Sequence, residues 1–561
     1  MEPLDETTSL LPIPEQEEIG DLEVEYHKHN LALPKLPILT SLWLGSFISS
    51  LDGTVVANIM NRVAEEFAES DRKQWIATSF LLTNTAFQPL YGKLSDVTGR
   101  KFALLTAYTF FGLGCLLTCF ARNVTEFAVA RAICGIGGGG INACSSITVS
   151  DICTAKERGI YQGYANIVFG LGQMLGAPIG GLFIDTVGWR AIFGIQVPVI
   201  LLSAILAFKN VNIKLSHVPP VRYRFTRKNL SRIDFLGSLT LALSICGLLL
   251  ICSTDLNKKA LAVLTGAAFA LFLWVELCFA TEAILPFKLL SGSFGLASVA
   301  TVCSSFIIFG DIFRSPIYLQ LIHDISVTQT GLFLIFPSIA VAAGSLAAGY
   351  VLRHSKMQLD RCAYLIVLFG IAFQLLGLTA NYYLVSIVEP ALSTHGEHSV
   401  AAAAVRFASQ SFSWKILFVL DSVLVGFGYA CLLVATLVSI VFSIEKSQQA
   451  TMTGIFYLWR SIGNVLGASL TLVIFDKSLA RSLWHYMFHS DGVSYDFTAD
   501  EYYELLSDTS YLRSHFPPKI LRGLLAVYRT AFQVSFWPNI GLAIAGLAAS
   551  CFLIRTVPKT T

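Results

Sequence analysis

Charge is what this chain has least of. Asp, Glu, Lys and Arg make up 14% of its 561 residues, against 54% hydrophobic, and a soluble protein of this length needs far more charge to cover its surface. Short segments alternating apolar and polar, the mark of a transmembrane barrel, are missing too. So is a phosphate-cradling glycine loop closed by Lys and Ser or Thr, which excludes direct use of ATP. The formal net charge of +2 is neutral on nucleic acid, but the basic residues are scattered through short loops and no basic domain exists to hold a polyanion.

Cysteine is present, 12 residues of it, yet neither metal-ligand spacing nor a disulfide framework is. Cys115, Cys134, Cys246 and Cys431 lie inside apolar runs, where a thiol packs as a small apolar group. Cys115 and Cys119 share a helix face at i, i+4 and are read the same way. No metal centre and no cofactor are expected.

The first 35 residues are acidic and polar, without the basic start and apolar core of a secretory leader. They are expected to form a disordered cytosolic tail, 1–35. Within it, Glu6, Leu10 and Leu11 have the spacing of an acidic dileucine sorting signal, the address that an adaptor complex reads for a vacuole or lysosome.

Beyond the tail the chain is a succession of apolar runs at roughly 37–59, 75–92, 102–121, 125–149, 160–184, 190–208, 234–253, 260–280, 294–319, 328–352, 362–387, 415–443, 451–475 and 533–555. Each is long enough to cross a bilayer, for which about 20 residues suffice. The expectation is an all-α polytopic membrane protein with about 14 transmembrane helices, or about 12 if the pair at 234–280 does not span. Lys93, Arg100, Lys101, Arg158, Arg224, Arg227, Arg353 and Arg361 all fall in alternate short loops, which places those loops and both termini in the cytosol. The stretch 476–530, with Asp491, Asp496, Asp500, Glu501 and Glu504, is then a loop on the far side carrying amphipathic helices.

One of those cytosolic loops is the most informative segment. Between two apolar runs stands Gly92-Lys93-Leu94-Ser95-Asp96-Val97-Thr98-Gly99-Arg100-Lys101, in which Gly92 and Gly99 permit tight turns and Asp96 is placed to pair with Arg100. The spacing resembles the signature loop of the major facilitator superfamily. The resemblance implies two six-helix bundles around a midplane site, here 36–210 and 286–557, with 211–285 as a cytosolic linker and inserted helix pair.

Ionisable residues within apolar runs are the functional candidates, because an unpaired charge in hydrocarbon costs several kcal/mol. Asp52 lies in the run Leu51 to Asn58 of the first span; a proton-coupling carboxylate is one reading and a structural hydrogen bond the other. That string, Asn58 included, resembles the first-helix motif of the fourteen-span drug:proton antiporter branch. Arg131 opens a glycine-rich stretch of the fourth span and needs an acceptor. Its context resembles the motif that the family associates with proton coupling, with Cys134 where glutamine is usual.

Gly172, Gly176, Pro178 and Gly180 in the fifth span resemble the antiporter motif, the proline falling one place late; a purely structural kink is the alternative. Asp311 and Arg314 stand at i, i+3, as a far-side gate or a salt bridge at its edge. Arg460 lies deep in its span and must face protein or water. Tyr429 and Asp421 are weaker candidates, and Asp151, Lys156, Glu157 and Arg158 are read as a latch on the cytosolic side or as solvated loop charges.

Over nearly its whole length the chain resembles the fungal vacuolar basic amino acid transporters, through the tail, the Asn30 to Pro34 run, Trp75 to Phe80 and Glu445 to Gln449. The resemblance implies a proton-coupled antiporter carrying lysine, histidine and arginine from the cytosol into the vacuole, with the proton gradient as energy source and no enzymatic activity. A plasma-membrane drug:proton antiporter on the same scaffold is the alternative. A non-transporting amino-acid sensor is a third reading.

Overall fold

The computed structural model describes residues 16–69, 74–216, 218–230, 232–253, 257–279, 292–325, 327–388, 412–443, 449–489, 497–507 and 511–556. Glu6, Leu10 and Leu11 lie outside them. Among the described residues the chain is helical throughout, with no strand.

Helix α1, Gln16–Leu31, corrects the expectation of disorder over those residues of the tail. Its Glu-rich sequence favours helix, and its end is anchored. Asn30 Nδ2 donates to the Lys214 carbonyl at 2.8 Å while its Oδ1 accepts from the Lys214 N–H at 2.9 Å, so a side chain mimics a strand pair with the linker. Pro34 then disfavours helix at Leu33, and the chain turns by 77° into α2, Lys35–Glu66.

The first set of helices continues with α3, Gln74–Ala86, α4, Gln88–Thr98, α5, Arg100–Cys119, α6, Val124–Ile152, α7, Ala155–Thr186, and α8, Trp189–Asn210. Pro89 at the start of α4 breaks the second span at Phe87, since proline supplies no N–H to the preceding turn. Helix α6 wedges between α3 and α5 because its glycines admit backbone: a Cβ on Gly137 would strike the Phe111 N–H, and one on Gly139 the Asn84 carbonyl. Two short helices, α9, Val221–Arg224, and α10, Arg227–Leu230, lead to the hairpin of α11, Phe235–Ser253, and α12, Lys258–Cys278. That hairpin packs on itself, on α3 and lightly on the second set. Most of α12 is turned outward, with Val263, Leu264 and Leu277 exposed, as lipid contact requires.

The second set comprises α13, Ser293–His323, α14, Val327–His354, α15, Leu359–Ile387, α16, Phe412–Ser443, α17, Gln449–His489, and α20, Pro518–Thr556. Between the last two come α18, Ala499–Ser507, and α19, Tyr511–His515. The far-side loop expected over 476–530 is therefore corrected: α17 continues to His489 and α20 begins at Pro518. Phe475, Leu479, Leu483 and Met487, every fourth residue, are all buried along α17, so one apolar stripe carries the helix onward.

Among the described residues ten helices are long and apolar enough to cross a membrane, and eleven if the bent α1–α2 pair counts as one span. The α3–α4 pair, α7 and α11 occupy three further runs of the sequence. Each set packs mainly within itself, and the sets meet where α4 lies on α17 and α7 lies on α14.

Candidate functional site

The meeting point is the end of the bundle that carries the Gly92–Lys101 loop. Asp96 Oδ1 accepts from Arg100 NH1 at 2.8 Å, and Arg100 Nε donates to Asp151 Oδ2 at 2.7 Å. Asp96 Oδ2 crosses to the second set, accepting from the Thr451 N–H at 3.1 Å and its Oγ1 at 2.9 Å. Thr451 lies in the first turn of α17, whose dipole favours a carboxylate. A Cβ on Gly92 would lie 2.7 Å from the Ala450 carbonyl, so glycine permits that approach. Gly99, at φ 92°, makes the turn that brings Arg100 back over Asp96.

Two more contacts close the same end. Asn166 Nδ2 donates to Ser345 Oγ at 2.9 Å, and Ser461 Oγ donates to Gln88 Oε1 at 3.1 Å. Lys101 stands apart from the junction, on Asn212 at 2.8 Å. The ion pairs of the Asp151–Arg158 cluster stay inside the first set, through Asp151 with Arg100 and Glu157 with Lys35 at 3.0 Å. Arg158 is buried, and its nitrogens have no hydrogen-bond partner among the described residues. Nothing is described of the Lys156 side chain.

Deeper in the bundle, among the described residues, each set holds a further buried aspartate–arginine pair. Arg131 NH1 donates to Asp52 Oδ2 at 2.6 Å, with both side chains at 1% exposure or less. The guanidinium also lies 4.4 Å from the Phe80 ring centroid. In the second set Arg314 NH2 donates to Asp311 Oδ1 at 2.6 Å, with its guanidinium 3.4 Å from the Phe536 ring centroid. Pairing keeps each site neutral, which an apolar surround demands. Cys115 and Cys134, sulfurs 3.7 Å apart, sit beside Asp52. Their donor atoms and an Asp52 oxygen lie within 4.8 Å of one another, but a metal ion there would face the Arg131 guanidinium.

Arg460 lies elsewhere, in the wall of a small cavity between the two sets. Its Nε donates to Tyr429 Oη at 3.0 Å, so these two candidates are brought together. The wall is completed by Leu42, Trp43 and Ser46 of α2, Asn142, Ser145, Ser146 and Val149 of α6, Gln162, Ala165, Asn166 and Phe169 of α7, and Tyr457 of α17. Asp52, Arg131, Asp311 and Arg314 do not line it. Asp421 is buried in α16 away from it.

Gly172 and Gly176 lie against α2, where a Cβ on either would strike Ser50 or Thr54; Gly180 is buried on the same helix. Pro178 and Asn58 fall within α7 and α2, and their side chains lie outside the description.

Sequence reasoning misses the cavity amides, although a signal exists. Asn142, Ser145, Ser146 and Val149 recur at i, i+3, i+4 and i+7, as do Gln162, Ala165, Asn166 and Phe169. Two apolar helices each carry polar residues along one face at helical spacing.

Two helix sets clasping a polar cavity, each with a buried ion pair, define a secondary transporter. Residues 42–395 match the profile of the Major Facilitator Superfamily, and the chain belongs to that family. It is 64% identical over 561 residues to vacuolar basic amino acid transporter 1 of Saccharomyces cerevisiae, covering 100% of this chain and 99% of that protein. It is 32% identical to multidrug resistance protein fnx1 of Schizosaccharomyces pombe, covering 94% of each. Among solved structures, the human organic anion transporter MFSD10 superposes with a TM-score of 0.55 at 13% identity, over 92% of this chain and 99% of that one, a likeness of fold.

Proposed function

We propose that this chain is a proton-coupled antiporter that moves lysine, histidine and arginine from the cytosol into the vacuole by alternating access. The observation that carries the coupling is the Asp52–Arg131 pair at 2.6 Å. Protonation of Asp52 from the acidic side would leave the Arg131 charge unbalanced in an apolar surround, changing the relative stability of the two access states. The Lys and Arg content of the loop end supports a cytosolic position for it and for both termini. The latched arrangement is then the state facing the vacuole, from which substrate leaves and a proton enters. The proton gradient supplies the energy, and no bound cofactor is required.

The substrate class is supported by the full-length likeness to the Saccharomyces cerevisiae protein. Glu6, Leu10 and Leu11 are the proposed vacuolar address, read by an adaptor complex. A plasma-membrane drug:proton antiporter is the second reading, favoured by the relative named as a multidrug resistance protein.

The test is ATP-dependent uptake of radiolabelled lysine, histidine and arginine into vacuolar vesicles with and without the protein. Uptake is expected to require the protein, to collapse with a protonophore, and to be lost in Asp52→Asn. Vesicles that contain the protein and take up none of the three would overturn the assignment and favour drug export.

A further inference from the structure

Beyond the loop end that holds Arg100 and Arg158, three arginines among the described residues stand inside the helix sets, and they are not balanced alike. Arg131 has Asp52 and Arg314 has Asp311, each at 2.6 Å. Arg460 has no such carboxylate among the described residues: its hydrogen-bond partner is the Tyr429 phenol at 3.0 Å. The rings of Phe169, Tyr457 and Tyr429 stand 5.4 to 6.0 Å from its guanidinium carbon. Rings and a phenol moderate a cation but do not neutralise it. Among the described residues lining the cavity, Arg460 is the one charged side chain, and no acidic residue joins it there.

A guanidinium whose Nε is engaged still presents its two terminal NH2 groups, the fork that matches a carboxylate. The opposite wall carries a different chemistry. Asn166 spends its Nδ2 on Ser345, which leaves its carbonyl oxygen as an acceptor, and Trp43 offers an aromatic face. Acceptor oxygens and ring faces suit an ammonium or other organic cation.

We infer that Arg460 is the receptor for the α-carboxylate of the transported amino acid, which completes in the loaded state the ion pair that Arg131 and Arg314 already have. The inference rests on the proposed amino acid substrate and adds its orientation: carboxylate toward α17, ammonium and cationic side chain toward α2, α6 and α7. It makes the free carboxylate, rather than the positive charge, the obligatory feature of the substrate. Amines of the same length and with the same cationic groups but no carboxylate are rejected because they leave Arg460 unneutralised and set a second cation beside it.

The experiment is competition against radiolabelled lysine uptake in vesicles containing the full-length protein, with unlabelled arginine, cadaverine and lysinamide as competitors. Arginine is expected to compete, whereas cadaverine and lysinamide fail at tenfold the arginine concentration. Arg460→Met is expected to raise the KM for lysine by at least about tenfold, the scale of a lost charge-assisted hydrogen bond. Arg460→Lys, which keeps the charge but loses the fork, should show a smaller rise with kcat largely retained. Cadaverine or lysinamide competing as well as arginine in the unmodified protein overturns the carboxylate assignment and leaves amino acid transport standing. Absence of any lysine uptake overturns both. The competition arm needs no variant, so a misfolded Arg460→Met protein cannot rescue the idea.

Discussion

Gly159 of α7 and Gly349 of α14 touch backbone to backbone across the two helix sets: a Cβ on Gly349 would lie 2.6 Å from the Gly159 carbonyl carbon. No side chain fits there, so the closed end depends on both being glycine. Gly349→Ala should cost the latched state about 1–3 kcal/mol of overpacking and shift the access equilibrium toward the other state. Spin labels at Thr154 and Arg353, exposed on opposite sets, should gain a longer distance component. An unchanged distribution would mean that the contact yields without opening the end.

Asp96 joins the sets through Thr451 and also balances Arg100. Asp96→Asn removes the charge at both places and strands Arg100 with Asp151 alone. Breaking a buried pair by removing one partner costs about 3–5 kcal/mol. Transport should fall at least tenfold while the same label pair reports an opened loop end. Full transport in Asp96→Asn would reduce the interaction to a surface contact.

Asp52 and Arg131 should be coupled energetically. Arg131→Gln leaves a carboxylate buried without its counter-charge, and Asp52→Asn leaves a guanidinium in the same position. Each single variant should lower the thermal midpoint of the purified protein, and the double variant should recover part of that loss. Proton-driven accumulation should be absent from all three. Additive losses in the double variant would deny the pair any mutual stabilisation.

At the opposite end, Glu66 accepts from Arg190 NH1 at 2.6 Å and from Trp189 Nε1 at 2.7 Å. The Arg190 hydrogen bond holds the Glu66 carboxyl below its ordinary range, with Trp189 adding to it against partial burial. A lowered folded value means that the contribution is present above the unfolded pKa and is lost as pH falls through the folded one. The pair is half exposed, so it is worth at most about 1 kcal/mol. Unmodified protein should be slightly more heat-stable than Glu66→Gln at pH 7, and the gap should close as the pH is lowered below the ordinary carboxylate pKa of about 4. A gap independent of pH would assign the difference to packing.

The helical runs are legible in the sequence because hydrocarbon imposes length and apolarity on each segment separately. The helix Gln16–Leu31 is not, because its stabilising contact, Asn30 with Lys214, joins residues 184 apart. The far-side extension of α17 is masked by the acidic residues downstream, although the stripe Phe475, Leu479, Leu483 and Met487 marks it. The cavity amides stay hidden because Asn142, Gln162 and Asn166 form no motif; they acquire meaning when α6, α7 and α17 converge on one space.

By itself the sequence determined that this is a helical membrane transporter of the major facilitator type, and which intramembrane charges needed partners. Those are consequences of transfer energies and local spacing, which each segment carries on its own. Only the tertiary structure decided the partners: Asp52 with Arg131 at a separation of 79 residues, Asp96 with Thr451 at 355, and Arg460 with a phenol instead of an acid. Helix packing sets those pairs, because small residues such as Gly159 and Gly349 let particular backbones approach and so bring distant charges within reach.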